Sequence, residues 1–439
     1  MKRLVITVLI LLVPVVAFAE KVTLRQAVEE ALKNNPMIQA SRFQTEATEM
    51  KAKETLRNYF PRLTIEERFM RTDNPTYAFM AKLNQERFTL QDFQIQRLNS
   101  PDAQNDFQTS ITLEQPVFVP RLIYGIKASK KASESAMIEH KRNKETIIKE
   151  TIKAYLNVIT AKAYLKAANK ALEDTKENLR IASLMYEKGL GLLSDKLRAS
   201  AAVKKAEAMV VEAEKNLNLA RRALGIMMGR DEVVDTSDDW PELTVEDLEI
   251  YRKLYLQRPD LEALRKKAEA AEAALKVEKS SFWPEVGVGG SYQFNDHNNP
   301  FGTEGQSYMV MAFLRWNLFD PTLGPRKQKA EAELRAVKKA IEAQTQRAGL
   351  ELERAYLDVR AKEKALALAK AELASAEEAL RLVRLRYKSG LSPVVDLLNT
   401  ETVVEAARAK VIQAENDYRL AIIDLYYQAG ILLGKVKEF

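Results

Sequence analysis

The chain has 439 residues, with 68 Lys and Arg against 61 Asp and Glu and a net charge of +7. The two signs are interleaved along helical stretches, so the excess reads as solvated helix surface, and no basic stripe or aromatic platform marks a nucleic-acid partner. Cys is absent and His occurs only at His140 and His297, which removes thiol chemistry, disulfides and the usual zinc clusters; no metal and no cofactor is expected.

Lys2 and Arg3 precede the short apolar run LVITVLILLVPVVAFA, which ends in Ala17-Phe18-Ala19. This is the layout of a secretory signal over 1–19, cleaved before Glu20. The run is short and carries Pro14, unlike a membrane-spanning helix. No Cys follows the cleavage point, so lipid attachment there is not expected. Nothing later is apolar for long enough to span a bilayer as a helix. An exported chain that crosses a membrane must then do so as strands.

From 20 to 229 the pattern predicts a helix over 23–59, strands over 62–70 and 107–118, a long helix over 121–188 and a returning helix over 194–228. Thr23 and Gln26 have capping-box spacing, and Pro36 must interrupt the first helix. In FQTSITLEQPVF (107–118), Phe107, Thr109, Ile111, Leu113 and Val117 share one face, as a strand requires. Between Gly125 and Lys188 there is no Pro and no other Gly, which allows a helix of about 95 Å. Its apolar seam, Ile148, Ile152, Tyr155 and Ile159, needs other helices to cover it.

An acidic, Pro-containing stretch at 230–243 reads as a linker, and 244–439 then repeats the plan. A helix is expected over 244–282, strands over 285–294 and 307–318, a long helix over 325–388 and a returning helix over 394–429. An offset of 201 residues places Tyr155 on Tyr356, Gly189 on Gly390, Asp195 on Asp396 and Gly229 on Gly430. Nearer the start of each half the offset is 223, pairing Pro36 with Pro259 and Pro61 with Pro284. The 22 extra residues of the first half fit in a loop at 71–106.

Aromatics flank the strands. Phe60, Phe118, Trp283, Trp316 and Phe319 suit membrane interfaces. Four strands cannot close a membrane barrel, the smallest of which has about 8. An open sheet in lipid leaves edge amides unsatisfied, so chains must share a barrel, two giving eight strands and three giving twelve. The paired strands put the helical ends of both halves on the periplasmic side, with the loops at 71–106 and 295–306 outside.

At this point the chain resembles the TolC family of outer-membrane efflux and secretion channels over essentially its whole mature length. The residues that carry the resemblance are Tyr186-Glu-Lys188-Gly189-Leu190 and Tyr387-Lys-Ser389-Gly390-Leu391, with VTLRQAVEEALKNNP near the start, the aromatic–Pro junctions and QPVF at 115–118. The resemblance implies a mainly α fold of two repeats and a homotrimer. It implies a twelve-stranded β-barrel continuous with a long periplasmic α-helical barrel, placed in the cell outer membrane. It also implies a passive exit duct for a periplasmic adaptor and an inner-membrane transporter, and no enzyme.

The two Gly residues permit a tight reversal. The hairpin tips, Tyr186, Lys188, Gly189, Leu190, Tyr387, Ser389, Gly390 and Leu391, are the expected adaptor-docking surface, with the exposed Leu190 and Leu391 as its apolar contacts. By position, Asp195, Tyr387, Ser392, Asp396 and Asn399 match the family's periplasmic gate. Ser392 stands where the family has Arg and Asn399 where it has a second acid, so a different set of bonds is expected to hold the closed state. Asp195 reads equally as a gate residue and as the first-turn acid that a helix dipole favours. No Ser-His-Asp set, P-loop or Rossmann fingerprint supports an enzyme. A soluble periplasmic coiled-coil scaffold or adaptor is the alternative, although such a protein lacks two strand pairs in matched halves. The cargo and the role of the long loop are not legible.

Overall fold

The computed structural model describes residues 21–237 and 239–439; the expected signal segment lies outside them. The chain forms two compact units. One comprises residues up to Arg42, His140–Pro259 and Gln344–Phe439; the other comprises Phe43–Glu139 and Asp260–Ala343.

In the first half a short strand β1 (Lys21–Val22) leads into α1 (Leu24–Asn34) and α2 (Pro36–Arg57). Thr23 caps α1 with Gln26, whose backbone N–H donates to Thr23 Oγ1 at 3.2 Å while Thr23 N–H donates to Gln26 Oε1 at 2.9 Å. Strand β2 (Arg62–Thr72) follows, and the segment read as a loop carries α3 (Pro75–Asn84), a 3-10 turn (Leu90–Phe93) and α4 (Ile95–Asn99). Strand β3 (Gln104–Phe118) then runs into α5 (Pro120–Glu187), of 68 residues, and α6 (Leu193–Met228).

The stretch read as a linker is part of the core. Within it β4 (Asp235–Thr236) pairs in parallel with β1. Val234 is buried, and Trp240 and Leu243 pack on the same cluster. After it come α7 (Leu248–Leu254), a 3-10 turn (Tyr255–Gln257) and α8 (Pro259–Ser280), so the opening helix of this half is broken before its proline. The rest is β5 (Glu285–Asp296), β6 (Gly305–Arg315), α9 (Leu323–Lys388), α10 (Val394–Ala429) and a short α11 (Leu432–Lys435). β6 ends at Arg315, three residues short of the expected 318. The indole N–H of Trp316 donates to Phe282 O at 3.1 Å, which draws the chain out of the ladder.

The core of the first unit is built on the two helical stripes. Ile148, Ile152 and Tyr155 of α5 and Leu352 and Val359 of α9 are buried with Leu24 and Val28 of α1 and Ile423 and Tyr426 of α10. Each such side chain stabilises by about 1.5–3 kcal/mol relative to leaving it in water. Asp235 anchors the β1–β4 pair, accepting from Lys162 Nζ at 2.6 Å and Arg221 Nη2 at 2.6 Å. Burial pushes its carboxyl pKa up, but Lys162, the Thr236 backbone N–H and Arg221 outweigh that and hold it below the usual carboxylate value.

The two sequence offsets meet at one kind of joint. Asn35, just before Pro36, donates from Nδ2 to Met227 O at 2.8 Å, two residues before Gly229. In the second half Arg258, just before Pro259, donates from Nη1 to Gln428 O at 3.4 Å and Gln428 Oε1 at 3.1 Å, two residues before Gly430. Both glycines are left-handed, with φ of 78° and 75°. A methyl group on Gly229 would lie 2.6 Å from Asn34 O, so conformation and space both require glycine there.

The second unit holds the sheet, with strand order β2-β3-β5-β6 and every pair antiparallel. The register aligns Leu63, Leu113, Gly290 and Val310 in one row across the four strands. Rows on that face continue with Ile65, Ile111, Tyr292 and Tyr308, and then Glu67, Thr109, Phe294 and Gln306. The opposite face carries Arg68, Gln108 and Gln293, linked as Arg68 to Gln108 and Gln108 Nε2 to Gln293 Oε1 at 3.1 Å. Period-two alternation thus gives β2, β3 and β5 a mainly apolar and a mainly polar face, while β6 places Met309, Met311 and Phe313 on the second face as well.

Candidate functional site

The two helical reversals share one backbone geometry. Leu190 N–H donates to Met185 O at 2.8 Å and Gly189 N–H to Tyr186 O at 3.0 Å; Leu391 N–H donates to Arg386 O at 2.9 Å and Gly390 N–H to Tyr387 O at 3.0 Å. These are Schellman closures, with the glycines at φ of 69° and 74°. A methyl group on either glycine would meet nothing within 4 Å, so here conformation alone demands glycine. The next leucines stand out in solvent, Leu190 at 78% and Leu391 at 71% exposure. Lys188 and Ser389 are exposed beside them.

The duplicated tyrosines do not share an environment. Tyr186 is 41% exposed, with Lys196 Nζ 5.7 Å from its ring centroid. Tyr387 is buried among Ile181, Leu380, Val394 and Leu397. Burial, and then the charge of Asp195, push its hydroxyl pKa up. Tyr387 therefore belongs to the inside of the hairpin and not to its exposed tip. A cleft of about 330 Å³ runs between the two tips, lined by Met185, Leu190, Asp195, Tyr387, Leu391 and Ser392 among others.

Asp195 and Asp396 both lie in the first turn of their helices. Asp396 is exposed, and its Oδ2 accepts from Ser392 Oγ at 2.8 Å. Ser392 thus bonds this acid within one hairpin and without a charge. Asn399 is exposed one turn further along α10.

A polar network missed in the sequence lies deeper between the helices. Arg384 Nη2 donates to Glu401 Oε1 at 3.1 Å and stands 3.7 Å from Asp174 Oδ1; Asn178 Nδ2 also donates to Glu401. Glu401 and Asn178 are 6% and 1% exposed, so one cation serves acids on α5 and α10 in a setting where an unpaired charge is costly. The available signal was Thr175 and Asn178 falling on the buried stripe of Ala171 and Ala182. Above this network a groove of about 770 Å³ opens between α5, α6 and α10, lined by Tyr164, Met209, Glu405 and Arg408 among others. Burial pushes the Glu405 pKa up, against the opposing effect of Lys205.

The expected interface aromatics gather at one end of the sheet. Phe60 and Trp283 precede β2 and β5, and Phe118, Trp316 and Phe319 end or follow β3 and β6. All are exposed, from 40% at Phe118 to 88% at Phe319. Toward the other end Phe69 meets Phe107 in a tilted ring contact with centroids 4.6 Å apart, and Tyr292 meets Phe294 likewise at 4.9 Å. Eleven residues of β2 at about 3.3 Å each, tilted about 40°, rise about 28 Å, close to the apolar band of a membrane barrel. Among the described residues no helix is long and apolar enough to cross a membrane.

The sequence profile of the family described as "Outer membrane efflux protein" matches residues 27–230 and 250–430. The chain belongs to that family. Protein CyaE of Bordetella pertussis is 27% identical over 292 residues, 64% of this chain and 62% of its own length. The alkaline protease secretion protein AprF of Pseudomonas aeruginosa is 21% identical over 348 residues, 75% of this chain and 70% of its own. Two solved structures share the fold of this chain. A membrane protein from Pseudomonas aeruginosa has a TM-score of 0.80 at 19% identity and 93% coverage of both chains. The Campylobacter jejuni CmeC outer membrane channel has a TM-score of 0.78 at 17% identity, covering 93% of this chain and 86% of its own.

Proposed function

We propose that the chain is the outer-membrane exit duct of a tripartite efflux or type I secretion assembly, working as a homotrimer that conducts its cargo passively. The observation that carries this reading is the sheet, which has a mainly apolar face, a more polar face and two open edges at β2 and β6. In hydrocarbon each unpaired edge amide or carbonyl costs several kcal/mol, so the edges must meet the edges of other copies. Three copies give a twelve-stranded barrel whose polar rows, with Arg68, Gln108 and Gln293, face water.

The hairpin tips are the docking surface for a periplasmic adaptor, with Leu190 and Leu391 as apolar anchors for its helices. The adaptor brings the inner-membrane transporter, which selects the cargo. Asp396, repeated three times about the axis, attracts cations at the gate, and the Ser392 and Arg384 contacts hold the closed state. Lipid of the outer membrane surrounds the barrel, and the aromatics from Phe60 to Phe319 sit at its interface.

Native mass measurement in detergent, paired with planar-bilayer recording, tests this. The expected result is a species of three mature chains that inserts and conducts in discrete steps. A monomer soluble in plain buffer that conducts nothing would instead favour a periplasmic scaffold or adaptor.

A further inference from the structure

The turn between β5 and β6, with Asp296 at the end of β5, carries a cluster that the tips do not use. Asp296, His297 and Glu304 each bring one donor atom to within 4.8 Å of the others. Asp296 is 4% exposed, and its Oδ1 accepts the backbone N–H groups of Asn298 and Asn299, both at 2.8 Å. Its Oδ2 accepts no hydrogen bond among the described residues. That oxygen lies against Gly302, where a methyl group would stand 2.0 Å away, so the turn is shaped around it. Across the turn His297 Nδ1 lies 2.6 Å from Glu304 Oε1, and His297 N–H donates to Glu304 Oε2 at 3.1 Å. The other ring nitrogen, Nε2, is 2.6 Å from Asn298 Nδ2.

We propose that Asp296, His297 and Glu304 bind a divalent first-row transition-metal ion of the zinc class, which pins the two arms of the β5–β6 turn. One imidazole and two carboxylates make a three-ligand set of charge −2, with water completing the coordination. The imidazole favours zinc, nickel or copper over magnesium and calcium, which take six or more oxygens. Nδ1 takes the ion in place of its contact with Glu304, the ring proton sits on Nε2, and Asn298 turns its amide so that its carbonyl oxygen accepts from Nε2–H. The charge of Arg87 also acts on Asp296, and the ion must outcompete it. The inference departs from the sequence expectation of no metal, and it stands whether or not three chains share a barrel.

Calorimetric titration of the chelator-treated, full-length mature protein in detergent with zinc chloride tests the site. One ion per chain is expected, with affinity at least tenfold weaker in both His297→Ala and Glu304→Gln. Millimolar magnesium should not displace it. Cobalt(II) added to the unmutated protein should give visible d–d bands, a readout that does not depend on how the variants fold. The proposal is overturned by no saturable binding, by absent cobalt bands, by unchanged affinity in His297→Ala, or by displacement with magnesium.

Discussion

Gly390 and Leu391 divide the work of the tip between backbone and surface. The left-handed φ of Gly390 closes the hairpin, while Leu391, at 71% exposure, adds nothing to the core. Leu391→Asp should therefore leave the trimer intact on native gels and lower export at least tenfold, as removal of an interface anchor does. Loss of the trimer would make the tip structural. Asp396→Asn should reduce cation-over-anion permeability about threefold in bilayers and weaken block by multivalent cations, because the proposed ring of three charges would be lost. Unchanged selectivity would remove Asp396 from the pore. The sequence shows the paired tyrosines as equivalents, but only Tyr387 is buried. A tip motif encodes the turn, whereas burial is decided by Ile181 of α5 and Val394 and Leu397 of α10 packing on one hairpin alone. His297 and Glu304 were illegible for a similar reason, since only the turn geometry brings them together.

Each long helix and each return helix ends on a left-handed glycine, and these four, Gly189, Gly229, Gly390 and Gly430, are the positive-φ glycines among the described residues. That regularity is what the 201-residue offset records. The 223-residue offset records the residues before Pro36 and Pro259, and the Asn35–Met227 and Arg258–Gln428 joints show why the two offsets coexist. The 22 extra residues form an ordered insertion. Gln85, only 1% exposed, ties it to Asn105 O at 2.8 Å and Asp106 Oδ1 at 2.9 Å. Within it Lys82 and Thr89 hold the Asp92 carboxyl pKa down at about 2. The β1–β4 pair escaped notice because two-residue strands have no period to read; its stability rests on Asp235. Asp235→Asn leaves Lys162 and Arg221 without their acid and should cost about 3 kcal/mol in thermal or urea unfolding. Because its folded pKa is depressed, the carboxylate's contribution is fully present above the unfolded value near 3.8 and is lost as pH falls through the lower folded value. The gap between native protein and variant should accordingly be flat at neutral pH and shrink only below about pH 4.

For the whole molecule, the governing fact is that one chain supplies a four-stranded sheet with two open edges. In the sequence this was legible as a count of alternating segments, and their order became definite only when β3 paired with β5 and joined the halves into one sheet. The Cys-free chain offers a direct test of edge closure. Ile65→Cys on β2 is combined with single cysteines scanned over Tyr308, Val310, Ala312 and Leu314 of β6. Within one chain the two edges are separated by three strand spacings, about 14 Å, too far for a disulfide. Oxidation in native outer membranes should give, at one or more of these positions, a covalent ladder that ends at three chains. No cross-link at any position, or a ladder running beyond three, would contradict a barrel shared by three copies.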